Sequence, residues 1–290
     1  MTDFKLPKLE GDVCLGQHII YFSCDPKYWE NHGIYLVKST AHYNPHISIH
    51  VHILFNNKEV TINKFIGRNN NITYSYEFVT DKFLKTLKLS SNDYYKKRSH
   101  TLLNTNSEKI IKQKIYFASA RFIRMKELFS DYQYVLQLDA DGLCRKKFTI
   151  DDFEKITNSP SAMRKPKDPS TLIASCITPG TGKEGSKFKT DLAEQMTKTF
   201  AGEIYWFIDQ VVLKKVFSKF KFESIPYHWN AWGFKPADIF STAKGKKKNN
   251  WRYLDVRANW LDEKARKEYI LNCTEDRKRN LLNKWKYKVT

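Results

Sequence analysis

No apolar run in this chain approaches the ~20 residues needed to cross a bilayer. The opening Met1-Thr2-Asp3-Phe4-Lys5 also lacks the apolar stretch of a signal peptide. A soluble, intracellular protein is expected, in the cytoplasm (that of the host, if the protein is viral). No Cys-x-x-Cys pair occurs, and the five cysteines, Cys14, Cys24, Cys144, Cys176 and Cys273, are scattered and odd in number. That excludes a disulfide framework or zinc knuckle and leaves reduced thiols in or near the core. No internal repeat and no Gly/Ser linker divides the chain. One large α/β domain over residues 1–260, with a basic helical extension over 261–290, is the expected organisation.

Acidic residues are scarce: 31 Asp and Glu stand against 50 Lys and Arg, a net charge of +19. A hydrophobic fraction of 41% with 14% aromatics is ample for a core and excludes global disorder. The positive surplus is uneven, since residues 244–290 carry 15 Lys and Arg against 6 Asp and Glu, a net of +9. Such a surplus suits a polyanionic partner. It also arises from AT-rich coding, because surface lysines are well tolerated.

Residues 17–23 read as a buried strand that ends in a turn at Asp25-Pro26. A helix is expected over 28–40. A second strand over 47–55 should set Ile47, Ile49, Val51 and Ile53 on one face and Ser48, His50, His52 and Leu54 on the other. A strand follows over 73–80, and then a helix over 112–129 with Ile115, Ala118, Phe122 and Met125 on its apolar stripe. Further strands are expected at 134–138 and 172–177, and further helices at 188–200 and 206–217. This alternation is the pattern of a sheet covered on both faces.

The strongest chemical signal is Asp139-Ala140-Asp141, reached directly from the apolar strand Tyr134-Val135-Leu136-Gln137-Leu138. In open α/β sheets ligands sit at the carboxyl ends of strands. Two carboxylates one residue apart at such an end can both reach a divalent cation, and their hard oxygens favour Mg²⁺ or Mn²⁺ over zinc. An EF-hand loop is excluded, because the later acidic ligands are missing. A two-metal phosphoryl-transfer site and a solvated acidic turn stay open. His50 and His52 share a strand face suited to two metal ligands, but with no third ligand nearby they read as ordinary sheet residues. Trp229 and Trp232 read as stacking platforms for a sugar or base, or as packing.

Together with Tyr116-Phe117-Ala118-Ser119-Ala120-Arg121 and Trp206-Phe207-Ile208-Asp209-Gln210, this strand resembles the nucleotide-sugar transferases related to glycogenin and to the lipopolysaccharide galactosyl- and glucosyltransferases. The resemblance covers roughly residues 17–248 and implies the GT-A fold: one Rossmann-like, mostly parallel sheet with helices on both faces. It implies metal-dependent transfer of a hexose from a nucleoside diphosphate sugar, UDP-linked by preference, with retention of configuration. Asp139 and Asp141 would hold the metal and diphosphate, and Arg121 would hold the nucleotide or orient Asp139. Phe22, Ser23 and Asp25 would line the base and ribose pocket. Asp209 and Gln210 would face the anomeric carbon. Lys244, Gly245 and Lys248 stand where the family sets a Gly and a Lys against the phosphates.

Two departures accompany the resemblance. The family's third metal ligand, a His, is replaced by Phe240-Ser241-Thr242-Ala243, which leaves His228 as the candidate. The Asn-(Ser/Ala)-Gly loop is replaced by Thr178-Pro179-Gly180. The charge suits a polyanionic acceptor. Hydroxymethylated bases in duplex DNA, as modified by some phage and viral transferases, would use the basic tail with Trp251, Tyr253, Trp260 and Trp285. Lipopolysaccharide or another surface glycan beside an anionic membrane is the alternative. A non-catalytic nucleic-acid-binding module on a degenerate transferase fold is the reading from another class.

Overall fold

A computed structural model describes residues 4–56, 71–243, 245–278 and 281. After a short edge strand, β1 (Glu10–Gly11), the β-branched and aromatic run His18–Cys24 forms β2, buried on both faces. Asp25 then caps the next turn by accepting the Tyr28 N–H at 2.8 Å, with Pro26 in the first helical position. The helix expected over 28–40 is divided: α1 (Pro26–Tyr28), a π-turn over Trp29–Gly33, and α2 (Ile34–Tyr43). The wide turn accommodates the buried Trp29 ring, which stacks on Phe22. A Cβ at Gly33 would lie 2.9 Å from that indole and 3.1 Å from Phe22.

The chain continues through β3 (Ser48–Phe55), β4 (Ile72–Phe78), α3 (Asp81–Thr86), β5 (Lys88–Leu89), α4 (Asp93–Leu103), α5 (Glu108–Ile123) and α6 (Met125–Leu128). The helix expected over 112–129 thus starts earlier, where Ser107 caps it, and breaks at Arg124. Next come β6 (Tyr134–Leu138), with the bounds expected, β7 (Gly142–Cys144), α7 (Ile150–Thr157), β8 (Pro160–Lys165) and β9 (Asp168–Pro179). The last third holds α8 (Gly182–Phe200), β10 (Glu203–Ile204), α9 (Ile208–Phe217), β11 (Glu223–Ile225), β12 (Phe240–Thr242), α10 (Trp251–Ala258) and α11 (Glu263–Leu271).

Among the described residues an eight-stranded sheet runs in the order β1-β4-β3-β2-β6-β9-β8-β11. Its pairings are parallel from β4 through β3 and β2 to β6, and again between β8 and β11. β9 is antiparallel to both β6 and β8, and β1 is antiparallel to β4. The common direction of β2, β3, β4 and β6 brings their carboxyl ends to one edge, where the Asp139-Ala140-Asp141 turn begins.

One sheet face packs under α5, α8 and α9 through Ile115, Phe122, Phe188, Leu192, Val212 and Val216. The other packs Phe22, Trp29, Val37, Leu138, Phe153 and Phe240 beneath α2 and α7. His50 and His52 are fully buried. They hydrogen-bond the Thr73 and Ser75 hydroxyls and the Glu77 carboxylate, so they are satisfied sheet residues, in line with the sequence reading. All five cysteines are free and buried. No helix among the described residues is long and apolar enough to cross a membrane.

Candidate active site

β6 delivers Asp139 and Asp141 through a tight turn that the Gly142 N–H closes on the Asp139 carbonyl at 3.0 Å. A Cβ at Gly142 would sit 3.3 Å from that carbonyl and 3.5 Å from the Thr242 hydroxyl, so the turn fits tightly against β12. The strand end is fixed from its other side. The Ser175 carbonyl accepts the Asp139 N–H at 3.2 Å and the Asn230 amide at 2.9 Å, and Asn230 in turn accepts the Thr242 hydroxyl. Asn230 and Thr242 carry no motif in the sequence. The β7–β12 pairing brings Thr242 to the turn, and the bridge between Ala231 and Ser241 brings Asn230.

The two carboxylates meet different partners. Arg121, in the last turn of α5, forms an ion pair with Asp139 and also donates to the Ala174 carbonyl at 3.4 Å. Asp141 is buried. Its Oδ2 accepts the Tyr28 hydroxyl at 2.7 Å and lies 2.8 Å from the Lys248 ammonium, while its Oδ1 is buried with no partner among the described residues. Lys248 also donates to the Tyr28 hydroxyl. Burial first, and then the Asp141 carboxylate, push the Tyr28 phenol far above its ordinary range, so it stays a donor. Behind this group the Tyr253 hydroxyl meets His32 at 3.0 Å. Burial, with Lys248 and Arg257, presses His32 down to about 4, so the ring is neutral near pH 7.

Asp209 approaches from α9 and is buried in that helix's first turn. Burial raises its carboxyl to about 6, opposed by the Arg121 guanidinium and assisted by the Asp139 carboxylate. Gln210, next to it, is half-buried. The residue before α9, Phe207, has φ 75°, a left-handed conformation unusual for an aromatic residue.

Other expected site residues are placed differently. The Phe22 side chain is fully buried against Trp29, so it is a core residue and can offer a ligand only its backbone. Ser23 is buried with its hydroxyl unpartnered among the described residues, and Asp25 is engaged as the helix cap. Gly245 opens a 3-10 turn, Gly245–Asn249, at φ 55°, where a Cβ would meet nothing within 4 Å, and this turn carries Lys248. Lys244 lies outside the described residues. His228 is exposed, beside Trp229 and within electrostatic reach of Asp152. Among the described residues no group of three His, Cys, Asp or Glu side chains gathers as a metal cage. Trp229 is buried among Phe148 and Phe153, a packing role.

Tyr28 belongs to the site although no motif points to it. A local signal is present all the same: the capped Asp25-Pro26 start fixes Tyr28 in the first helical turn, at the end of β2.

No protein-family model matches the chain, and no curated protein matches it by sequence. Among solved structures it is similar to the apo form of WbbM, a bifunctional glycosyltransferase, with a TM-score of 0.50, 14% identity, and coverage of 86% of this chain and 50% of that one. The chain therefore spans about half the length of WbbM. It is also similar to the galactosyltransferase LgtC in complex with donor and acceptor sugar analogues (TM-score 0.45, 14% identity, 83% of this chain and 95% of that one). An active-site mutant of LgtC gives a TM-score of 0.48 at the same identity and coverage. At such identity the shared property is the fold, and the chain has the α/β fold of the GT-A glycosyltransferases.

Proposed function

We propose that this protein transfers a hexosyl group from a nucleoside diphosphate sugar, UDP-linked by preference, to an acceptor hydroxyl. One observation carries the reading. Asp139 with Arg121, and Asp141 with Tyr28 and Lys248, meet at the carboxyl edge of the parallel strands, where open α/β sheets bind ligands.

The donor set fits a hard divalent cation, Mn²⁺ or Mg²⁺. The buried Asp141 Oδ1 has no partner among the described residues, and Asp139 keeps part of its carboxylate open to solvent. Asp139 and Asp141 would hold the ion. When bound, the cation supplies positive charge against the diphosphate as it departs. The chain's own groups do the rest. Arg121 orients Asp139, Tyr28 orients Asp141, and Lys248 would offer its ammonium to phosphate oxygens. In the reaction the bond from anomeric carbon to diphosphate oxygen breaks, a bond to the acceptor oxygen forms, and the acceptor's hydroxyl proton passes to the departing diphosphate. Asp209 and Gln210 would face that carbon. Retention of configuration is part of the proposal and rests on the resemblance; the anomeric proton coupling of the product checks it.

The acceptor is proposed to be a glycan, such as lipopolysaccharide or another surface polysaccharide. DNA is disfavoured because arginines of the basic tail are engaged within the protein. Arg257 donates to the Asn31 carbonyl, Arg266 to the carbonyls of Asn259 and Leu261, and Arg277 pairs with Asp255 at 2.8 Å. Tyr253 is buried and Trp260 packs on His42 and Tyr43, while Trp285 lies outside the described residues. A non-catalytic nucleic-acid module is disfavoured by the assembled carboxylate group itself.

The deciding experiment incubates the protein with Mn²⁺ and a panel of nucleotide sugars and measures released nucleoside diphosphate. Release with at least one donor, abolished in Asp139→Asn, is expected. No release with any donor, or full release in EDTA, overturns the reading or its metal.

A further inference from the structure

α4 and β5 form a small unit clipped to the segment that leads into Asp209 and Gln210. β5 pairs in parallel with β10, Glu203 opposite Lys88 and Ile204 opposite Leu89. The Glu203 carboxylate accepts the Ser90 hydroxyl at 3.1 Å, the Ser91 hydroxyl at 2.9 Å and the Ser91 N–H at 3.2 Å. The buried Ser99 hydroxyl accepts the Trp206 N–H at 3.0 Å, and the Tyr95 ring stacks on Tyr205 with centroids 4.0 Å apart. The left-handed Phe207 follows at once. These contacts fix the position of α4 relative to the start of α9.

Arg98 occupies the outer face of this unit. Its guanidinium lies 5.4 Å over the Phe207 ring and 6.0 Å over the Tyr94 ring, and it donates to the Tyr94 hydroxyl at 3.3 Å. Among the described residues it has no carboxylate partner. Tyr94, Arg98 and Leu102 follow one another at four-residue spacing on one face of α4, with Tyr94 64% and Leu102 50% exposed. Lys96 and Lys97 beside them are exposed too.

A guanidinium held by aromatic faces keeps N–H groups in its plane free for a bidentate oxyanion, and it loses less side-chain freedom on binding than a loose lysine. Exposed ring surface beside it suits the apolar face of a sugar. We propose that Arg98 selects the acceptor by reading an anionic substituent, a phosphate or a carboxylate, near the accepting hydroxyl of a glycan. The inference rests on the glycosyl-transfer reading, which places the reacting carbon at Asp209 and Gln210, two and three residues beyond Phe207.

The test uses the full chain with Mn²⁺ and whichever labelled donor it hydrolyses in the absence of acceptor. Transfer is scored on an immobilised array of neutral glycans and their phosphorylated and carboxylated counterparts, with a duplex DNA arm. Wild type is expected to label the phosphorylated or the carboxylated set at least about tenfold above the neutral parents, the scale of one hydrogen bond to a charged group. The two sets tell phosphate from carboxylate. Arg98→Gln should lose that preference and keep acceptor-independent hydrolysis, and Arg98→Lys should fall between. Because Arg98 is exposed, both variants should keep the wild-type melting temperature. Preference retained by Arg98→Gln, preference for neutral glycans, label in DNA, or hydrolysis with transfer to no glycan would each overturn the inference. Absence of donor hydrolysis in the wild type would instead sink the transferase reading beneath it.

Discussion

The Tyr28 hydroxyl and the Lys248 ammonium meet on one oxygen of Asp141, although 220 residues separate the first two in the chain. The other oxygen of the same buried carboxylate is left without a partner among the described residues. A carboxylate in that setting is held by one cation of the chain and has capacity for another ligand.

Removing Lys248 should therefore destabilise the metal-free protein. Lys248→Met leaves Asp141 buried without its counter-charge, at a cost of about 1–3 kcal/mol, reduced from that of a fully buried pair because Lys248 is partly exposed. Mn²⁺ should raise the melting temperature of this variant more than that of the wild type, by linkage to a site it now neutralises alone. Thermal denaturation with and without Mn²⁺ decides it; equal shifts in the two proteins would separate Lys248 from the cation site.

Asp141→Asn should lower turnover by roughly 10²-fold or more while leaving the circular dichroism spectrum unchanged, because it removes a ligand charge at a strand end and fills no cavity. Wild-type turnover in this variant would remove Asp141 from the proposed chemistry.

Asp209 yields a pH prediction of defined sign. Its carboxyl, raised to about 6 chiefly by burial, is ionised only above that pH, so turnover that needs the carboxylate should fall on an acid limb near 6. Ionising a buried carboxyl costs stability. Asp209→Asn should thus be more stable than the wild type at pH 8, an advantage that fades as pH drops from 6 towards the ordinary carboxyl value. The same variant should lose about 10²-fold in kcat with donor KM little changed. Denaturant titrations at pH 8 and pH 4 check the first expectation and steady-state kinetics the second.

His50 supplies the opposite sign. Burial, helped by His52, pushes it down to about 3, so it is neutral between the Thr73 and Ser75 hydroxyls. Its contribution is complete above the ordinary histidine value and is lost progressively as pH falls from about 6.5 towards 3. His50→Gln should be less stable at pH 7 by roughly 1–3 kcal/mol, through broken buried hydrogen bonds. It should also show a flatter loss of stability on acidification.

Duplex DNA should bind weakly. If tail arginines serve as internal ties, Arg277→Gln will lower the melting temperature by releasing Asp255 and Tyr269, with no change in DNA affinity. Gel retardation at 50 mM salt, with a log–log salt slope that the substitution flattens by about 0.9 for one phosphate no longer neutralised, would restore the DNA acceptor.

The order of elements and the Asp139-Ala140-Asp141 turn were legible because they are local. Period-two and helical patterning, the Asp25-Pro26 cap and an apolar strand running straight into acidic residues are properties of neighbouring positions. Position along the chain also marked Arg121, Asp209 and Lys248, through resemblance. What the chain order does not contain is which side chains share a carboxylate. Tyr28 reaches Asp141 because β2 and β6 are neighbours with a common direction, and Lys248 reaches it because β12 pairs back onto β7. Nor does chain order contain the packing of the Trp29 ring, carried by the π-turn at Trp29–Gly33, against Phe22 at the end of β2. Arg98 and Phe207 are 109 positions apart, and the β5–β10 pair, with the Ser99–Trp206 and Tyr95–Tyr205 contacts, sets one over the other. Sequence determined the elements and the acidic turn, because hydrophobic period and capping act within a few residues. The pairing of strands decided the site, because a carboxylate's partners and a guanidinium's freedom depend on groups that only long-range packing brings within hydrogen-bonding distance.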